Sequence, residues 1–408
     1  MRPLPGLLVA EGVSLAGSHV ATVAVPWLVL VTTGSATRVG VVALAQTLPF
    51  VLAGMLGGAL VDRTGPRRVA IAADVGSVVA VGAIPLLHLL GELTFGRLVA
   101  AVAIAGAVSG CGNIAKRALL PLAVEASGTP MARATALFDG FGRAALLVGL
   151  PLGGVLVAAF GPAAVLVVDA ASFAFCAATV AATVRIRPVQ ADDDAATPAG
   201  QTGDGVAAGF AFVRQDRLVV MVVGMLFFTN LADQAYMAVF LPVWVRETGA
   251  GPAAFGLVGG VFGLGAVLGA AVYAVLAERL PRASTFVVCF LIAGSPRLFA
   301  MALSDELWLI VGVAFGAGVA VSAVNPILMA VSYERIPARL RGRVLGVVGA
   351  LSYAGIPAGG LLGGLSVDGA GLRTAVLGAG LLYLVVTTAP LFAVRRLSAA
   401  VRKPVTVG

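Results

Sequence analysis

Glu11, Ser14, Ser18 and Thr22 recur at i, i+3, i+7 and i+11, which puts them in one stripe along a helix with His19 beside it. Asn230, Asp233 and Gln234 repeat the device at i, i+3 and i+4, and Ser109/Asn113 and Ser322/Asn325 add two polar pairs. Asp139 and Arg143 stand at i and i+4, a spacing at which they would pair with each other. All of these sit in otherwise apolar stretches. A charge at the centre of a lipid-spanning helix costs about 2.5–3.5 kcal/mol, so each marks a candidate functional position. The chemistry they suit is reversible binding. A carboxylate withdrawn from water can alternate between its protonated and charged forms as another ligand arrives, and Glu11 and Asp233 are the candidates for that coupling. Bond-making chemistry lacks its constellations, with no H-E-x-x-H and no G-x-S-x-G in the chain. His19 and His88 are far apart, and Cys111, Cys176 and Cys289 are scattered in apolar runs with neither zinc nor disulfide spacing. "GLGAVLG" from Gly263 lies inside an apolar run, not after a strand, so it is no nucleotide loop. Neither an enzyme nor a bound cofactor or metal is expected.

The elements that must position these residues follow from composition. The 408 residues are 60% hydrophobic and 11% charged, with a mean hydropathy of +1.03. Soluble domains carry about 25% charged residues. A hydrocarbon core of about 30 Å takes about 20 apolar residues in a helix, and the chain offers twelve such runs. They lie near 7–31, 39–61, 69–90, 95–115, 135–158, 163–184, 218–244, 254–277, 283–303, 307–333, 344–366 and 374–394. The chain reads as an all-α integral membrane protein, and Glu11 interrupts the first run enough to mark it as a span, not a cleaved leader.

The net charge of +8 is distributed between the spans, not over one basic face, so it sets topology and does not point to nucleic acid. Arg38, Arg97, Arg246 and Arg373 fall on one side; Arg143 and Arg297 fall within spans; every other Lys and Arg, Lys116 and Arg117 included, falls on the side of the N-terminus. By the positive-inside rule both termini are cytoplasmic, in a plasma membrane. "VQADDDAATPAGQTGDG" marks a flexible linker within 185–217, ending in a short stretch able to form an interfacial amphipathic helix. It separates a six-helix bundle at 1–184 from a second at 218–394, which is followed by a tail at 395–408.

The halves repeat each other. Pro26, Thr33 and Gly34 correspond to Pro242, Thr248 and Gly249; "GLPLGG" from Gly149 to "GIPAGG" from Gly355; and Asn113 to Asn325. Such duplication points to a transporter with its substrate site between the halves, near the midplane. Between the second and third spans, "GALVDRTGPRR" fits G-x-x-x-D-[RK]-x-G-x-[RK]-[RK] through Gly58, Asp62, Arg63, Gly65, Arg67 and Arg68. On these residues the chain resembles the major facilitator superfamily. "TGSATRVG", "DAASF" and "RIPARLRGRVLG" are similar to its enterobactin-exporter and macrolide-efflux branch.

The resemblance implies twelve helices in two pseudo-symmetric bundles, with spans one, four, seven and ten around a central cavity. Glu11, Ser14, Ser18, Asn113, Asn230, Asp233, Gln234 and Asn325 should converge there. It also implies that Gly58, Asp62, Arg63, Gly65, Arg67 and Arg68 latch the outward-facing state. Asp62 would face the N-terminal dipole of a neighbouring helix, worth about 0.3–1 kcal/mol, and Gly58 would allow close helix approach. Gly pairs at i, i+4 on spans two, five, eight and eleven, Gly54/Gly58 and Gly149/Gly153 among them, let backbones touch and slide. Two features depart from the family pattern. Span five has Gly149-Leu150-Pro151 in place of adjacent Gly-Pro, and the arginine of many proton-coupled pumps has no evident counterpart in span four, since Arg97 lies at its outer end.

Asp74 and Asp169 read as structural, and Arg297 awaits a carbonyl or acid partner. Acids within spans outnumber arginines there, which suits a neutral or cationic amphiphile better than a phosphorylated molecule. The expected activity is export of a hydrophobic or amphipathic small molecule, such as an antibiotic or siderophore, by proton antiport with alternating access, performed by a monomer in the bilayer. The alternatives are an importer or sodium-coupled carrier, and a non-transporting receptor or scaffold.

Overall fold

The computed structural model describes residues 3–184, 202–337 and 340–401. Six helices form the first half: α1 (Pro3–Thr33), α2 (Ala36–Thr64), α3 (Pro66–Leu89), α4 (Phe95–Ser127), α5 (Met131–Phe160) and α6 (Pro162–Thr183). Each runs unbroken even where it holds an internal proline. Their ends are sharply made. Ser35 and Thr94 cap α2 and α4 by accepting from the amides of Arg38 and Arg97. Gly65, at φ +88°, closes α2 and hands over to Pro66 at the first turn of α3.

The second half is more broken. A short α7 (Thr202–Gln215) precedes α8 (Arg217–Ala235), which passes through a π-helical turn (Tyr236–Phe240) into α9 (Leu241–Glu247). Next come α10 (Gly251–Leu276), α11 (Arg282–Ala293) with α12 (Ser295–Leu303), α13 (Leu307–Val321) with α14 (Val324–Arg335), α15 (Arg341–Tyr353) with α16 (Gly355–Ala370), and α17 (Leu372–Val401). The pairs α11/α12, α13/α14 and α15/α16 each make one span, broken just before Pro296, Pro326 and Pro357. Proline withholds a backbone donor and crowds the preceding turn. Among the described residues eleven helices are long and apolar enough to cross a membrane, and Leu372–Thr388 adds a shorter apolar run.

Among the described residues the halves meet at one end. There, α2 lies on α16 with Gly360 against Ala43 and Gly364 against Thr37, and α5 lies on α10 with Gly154 against Gly256. A Cβ on Gly154 would stand 2.7 Å from the Pro252 carbonyl oxygen, so backbones touch directly. Asp368, near the end of α16, clasps the start of α2: it accepts from Ser35 Oγ at 2.7 Å and from the amides of Ala36 at 3.1 Å and Thr37 at 2.9 Å. One hydrophobic core runs across both halves at this end, joining Val25, Leu28 and Val39 to Trp244, Ala254 and Phe255. At the arginine-rich end each half keeps its own core, around Leu7, Leu119 and Phe138 in the first and Val213, Val344 and Val347 in the second. The molecule is therefore closed at the arginine-poor end and parted at the other.

Several expectations change. α4 continues to Ser127, twelve residues beyond the expected end at 115, because apolar sequence resumes after Arg117. Lys116 consequently lies inside a span and is buried, not placed in a loop. The short amphipathic helix has a protein partner for its apolar side: Val213 of α7 packs with Val344 and Val347 of α15. α17 runs on to Val401, into the expected tail. The linker at 185–201 and the tail residues 402–408 lie outside the described residues. No neighbour lies against Gly58 in this arrangement, since a Cβ there would meet nothing within 4 Å; this part of α2 stands at the parted end.

Candidate functional site

In the first half, polar side chains from five helices face one cavity of about 230 Å³. Helical spacing puts them there. Ser109, Asn113 and Lys116 stand at i, i+4 and i+7 on α4, and Glu11, Ser14 and Ser18 follow the same logic on α1. Asp74 comes from α3, Asp169 from α6 and Gln46 from α2. Lys116 Nζ lies 2.9 Å from Asp74 Oδ1 and 3.3 Å from Glu11 Oε2, with all three side chains between 3% and 7% exposed. Glu11 Oε2 has the Lys116 ammonium as its one charged partner among the described residues.

A single ammonium thus serves two buried carboxylates, and the cluster carries one uncompensated negative charge when both are ionised. Buried charges are tolerated when paired, and an excess charge calls for a proton or another cation. Glu11 is therefore no isolated carboxylate, and Asp74 is more than a packing residue. Lys116 stands within span four. One signal in the sequence marked it: Lys116 is one of only two lysines in a chain whose basic residues are otherwise arginine.

The second half holds a balanced pair. Arg297, in the first turn of α12, is ion-paired with Asp233 of α8, which supplies the acid partner the sequence left open. The guanidinium sits 4.7 Å from the ring centre of Tyr236 and 6.0 Å from that of Phe262. Its side chain is 7% exposed, whereas that of Asp233 is 42% exposed. The π turn begins three residues after Asp233, and the α11/α12 break lies just before Arg297, where the ring of Tyr383 fills the space a Cβ on Gly294 would need. Local irregularity of this kind concentrates at functional positions.

The remaining candidates divide. Gln234 joins Thr22, Gln46 and Met237 around a smaller cavity of about 100 Å³ between the halves, so Gln46, unmarked in the sequence, borders both cavities. Asn113 lines the larger cavity and accepts from Arg117 Nε at 3.1 Å. Asn230 is committed elsewhere, donating at 3.0 Å to the Ser352 carbonyl beside the α15/α16 break. Asn325 is exposed in the first turn of α14. Asp139 and Arg143 form no ion pair. Both are exposed, and helical register places them on the face of α5 that carries Leu150 and Gly154 toward α10, at the parted end where water replaces a partner. In the loop motif, Asp62 and Arg63 are exposed and have no ion-pair partner among the described residues, and Arg68 is exposed. Arg67 instead donates at 2.7 Å to the Ala181 carbonyl at the end of α6, within its own half.

Residues 5–405 match a family described as transmembrane secretion effector. The chain is 30% identical over 401 residues to the multidrug efflux pump Tap of Mycolicibacterium fortuitum, covering 96% of this chain and 95% of that one. It is 32% identical over 375 residues to the multidrug efflux pump Tap of Mycobacterium tuberculosis, covering 91% and 88%. Among solved structures it superposes on the nucleoside transporter NupG with a TM-score of 0.79 at 11% identity, covering 95% of this chain and 98% of that one. A bacterial homolog of the human lysosomal transporter Spinster, inward-facing and unoccupied, gives 0.69 at 16% identity, covering 95% of each chain. At these identities the structural likeness concerns the fold alone.

Proposed function

The chain belongs to the transmembrane secretion effector family of the major facilitator superfamily, and from that premise we propose that it exports small amphipathic molecules in exchange for protons. The observation that carries the reading is the buried ammonium of Lys116 shared between Glu11 and Asp74. With both acids ionised the cluster has a negative charge to spare; one proton makes it neutral. Glu11 is the exchangeable partner, because it stands farther from Nζ than Asp74 does. The thiol of Cys176 lies beside the same groups, and Asp169 faces them across the cavity.

Read with the arginine-rich end in the cytoplasm of a plasma-membrane monomer, the parted end admits cargo from inside. Closing that end brings α2 toward α15, where Asp62, Arg63 and Arg67 latch the opposite state, while the Asp368 clasp opens to release cargo outward. Proton entry at Glu11 from outside and its release inside complete the cycle. A substrate favours export only as far as it binds the two states differently.

The test is uptake of a panel of fluorescent amphiphiles into inverted vesicles energised by an acidic interior. Uptake should collapse with a protonophore and fall at least tenfold in Glu11→Gln. Uptake indifferent to the protonophore would overturn proton coupling and leave export standing. Uptake by intact cells in place of extrusion would overturn export.

A further inference from the structure

We propose that the first-half cavity binds the cationic head of the exported molecule, an ammonium or guanidinium group, with Asp169 as its counter-ion. This rests on the export reading and specifies its substrate class. Asp169 is 3% exposed and faces the cavity. Among the described residues its one side-chain hydrogen bond is with Ser172 Oγ at 3.5 Å, and that hydroxyl is engaged at 2.8 Å with the backbone carbonyl of Asp169. No cation lies within ion-pair distance of it among the described residues. Lys116 is already committed to Glu11 and Asp74.

The cavity therefore presents three carboxylates against one ammonium. A carboxylate withdrawn from water is stabilised by a cation placed beside it, and no side chain supplies one to Asp169. An anionic head would meet three carboxylates and a single ammonium already shared by two of them. About 230 Å³ is less than the roughly 300–1,000 Å³ typical of a pocket holding a whole drug-sized ligand, so the cavity fits a head group and a few carbons. Gln46 borders both this cavity and the smaller one between the halves, to which the rest of the molecule is assigned. Phe50 and Phe173 border the cavity, and aromatic rings suit a cation better than an anion. Proton and cation then compete for one negatively charged space, which is what exchange requires.

A packing role is the competing explanation, because α1 and α6 touch here: a Cβ on Gly17 would lie 2.8 Å from Asp169 Oδ1. Asn, of the same shape, would serve packing equally well. The deciding experiment measures equilibrium binding to the full chain in lipid nanodiscs without any ion gradient. The probes are a fluorescent decyl chain ending in guanidinium, in hydroxyl or in sulfonate. The wild type should bind the guanidinium probe at least tenfold tighter than the hydroxyl probe, and the sulfonate probe weakest. In Asp169→Asn the guanidinium advantage should shrink below threefold with hydroxyl binding unchanged, and Asp169→Glu should restore most of it. Equal affinity of the wild type for the guanidinium and hydroxyl probes overturns the proposal, whatever the fate of the variants on purification. So does an advantage that survives in Asp169→Asn. A charge preference without gradient-driven export would sink proton coupling alone; gradient-driven export without charge preference would sink this inference alone.

Discussion

The two halves solve the problem of charge in lipid differently. In the first half, unbroken helices enclose Lys116, Glu11 and Asp74 away from water, with more negative than positive groups. In the second, Asp233 and Arg297 balance each other one for one, the carboxylate stays partly open, and the helices that carry them are bent or broken beside the pair. An imbalanced, sealed cluster has reason to exchange a proton or cation. A balanced pair beside a π turn and a helix break has reason to move. The contrast is one of charge balance and helix continuity, in two halves that share motifs such as "GLPLGG" and "GIPAGG".

The largest effect should come from removing the sole cation of the sealed cluster. Lys116→Met leaves two carboxylates facing each other, and breaking a buried ionic cluster costs about 3–5 kcal/mol. Thermal unfolding in detergent should show that loss, and gradient-driven transport should vanish; a stability change under about 1 kcal/mol would erase the distinction between the halves. Arg297→Gln should cost less, about 1–2 kcal/mol, lying between the values for buried and exposed pairs, because water reaches Asp233. If it proves as damaging as Lys116→Met, the second-half pair is functionally as sealed as the first.

Next is the clasp at the closed end. Asp368→Ala removes a carboxylate from the N-terminus of α2, worth about 1 kcal/mol, and should shift the equilibrium about fivefold away from the closed arrangement. Spin labels at Arg38 and Thr374 would report that shift as a growing long-distance population, and an unchanged distance distribution would show the clasp to be idle. The smallest effect is expected for Asp139→Asn with Arg143→Gln. Since the two side chains make no ion pair, their effects on stability should add within about 0.3–0.5 kcal/mol. A larger coupling energy would mean that they meet in the opposite state.

Much of this was legible before any coordinates. Runs of apolar residues long enough to cross a bilayer appear as such whatever surrounds them, and the punctuation at Gly65-Pro66 and Gly161-Pro162 marks helix ends through backbone geometry alone. The stripe from Glu11 to Ser18 was visible as a helical period, and it does face a cavity. Asp139 and Arg143 show where such reasoning stops. Their spacing permits a pair, but water at the parted end removes the need for one. Asn230 was correctly placed on a polar face and still went to a carbonyl freed near a helix break.

The apolar spans and the preference of arginine for one side were dictated by the order of residues, because each depends on local backbone chemistry and on transfer from water to lipid. Which charge meets which was settled by folding alone. A side chain turns about 100° around the helix with each residue and climbs 1.5 Å, so partners from α1, α3 and α4 depend on the rotation and depth of three helices at once. Lys116 is the clearest case: beside Arg117 it looks like the start of a loop, and only the continuation of α4 and the placing of Glu11 and Asp74 opposite it make it the centre of a buried site.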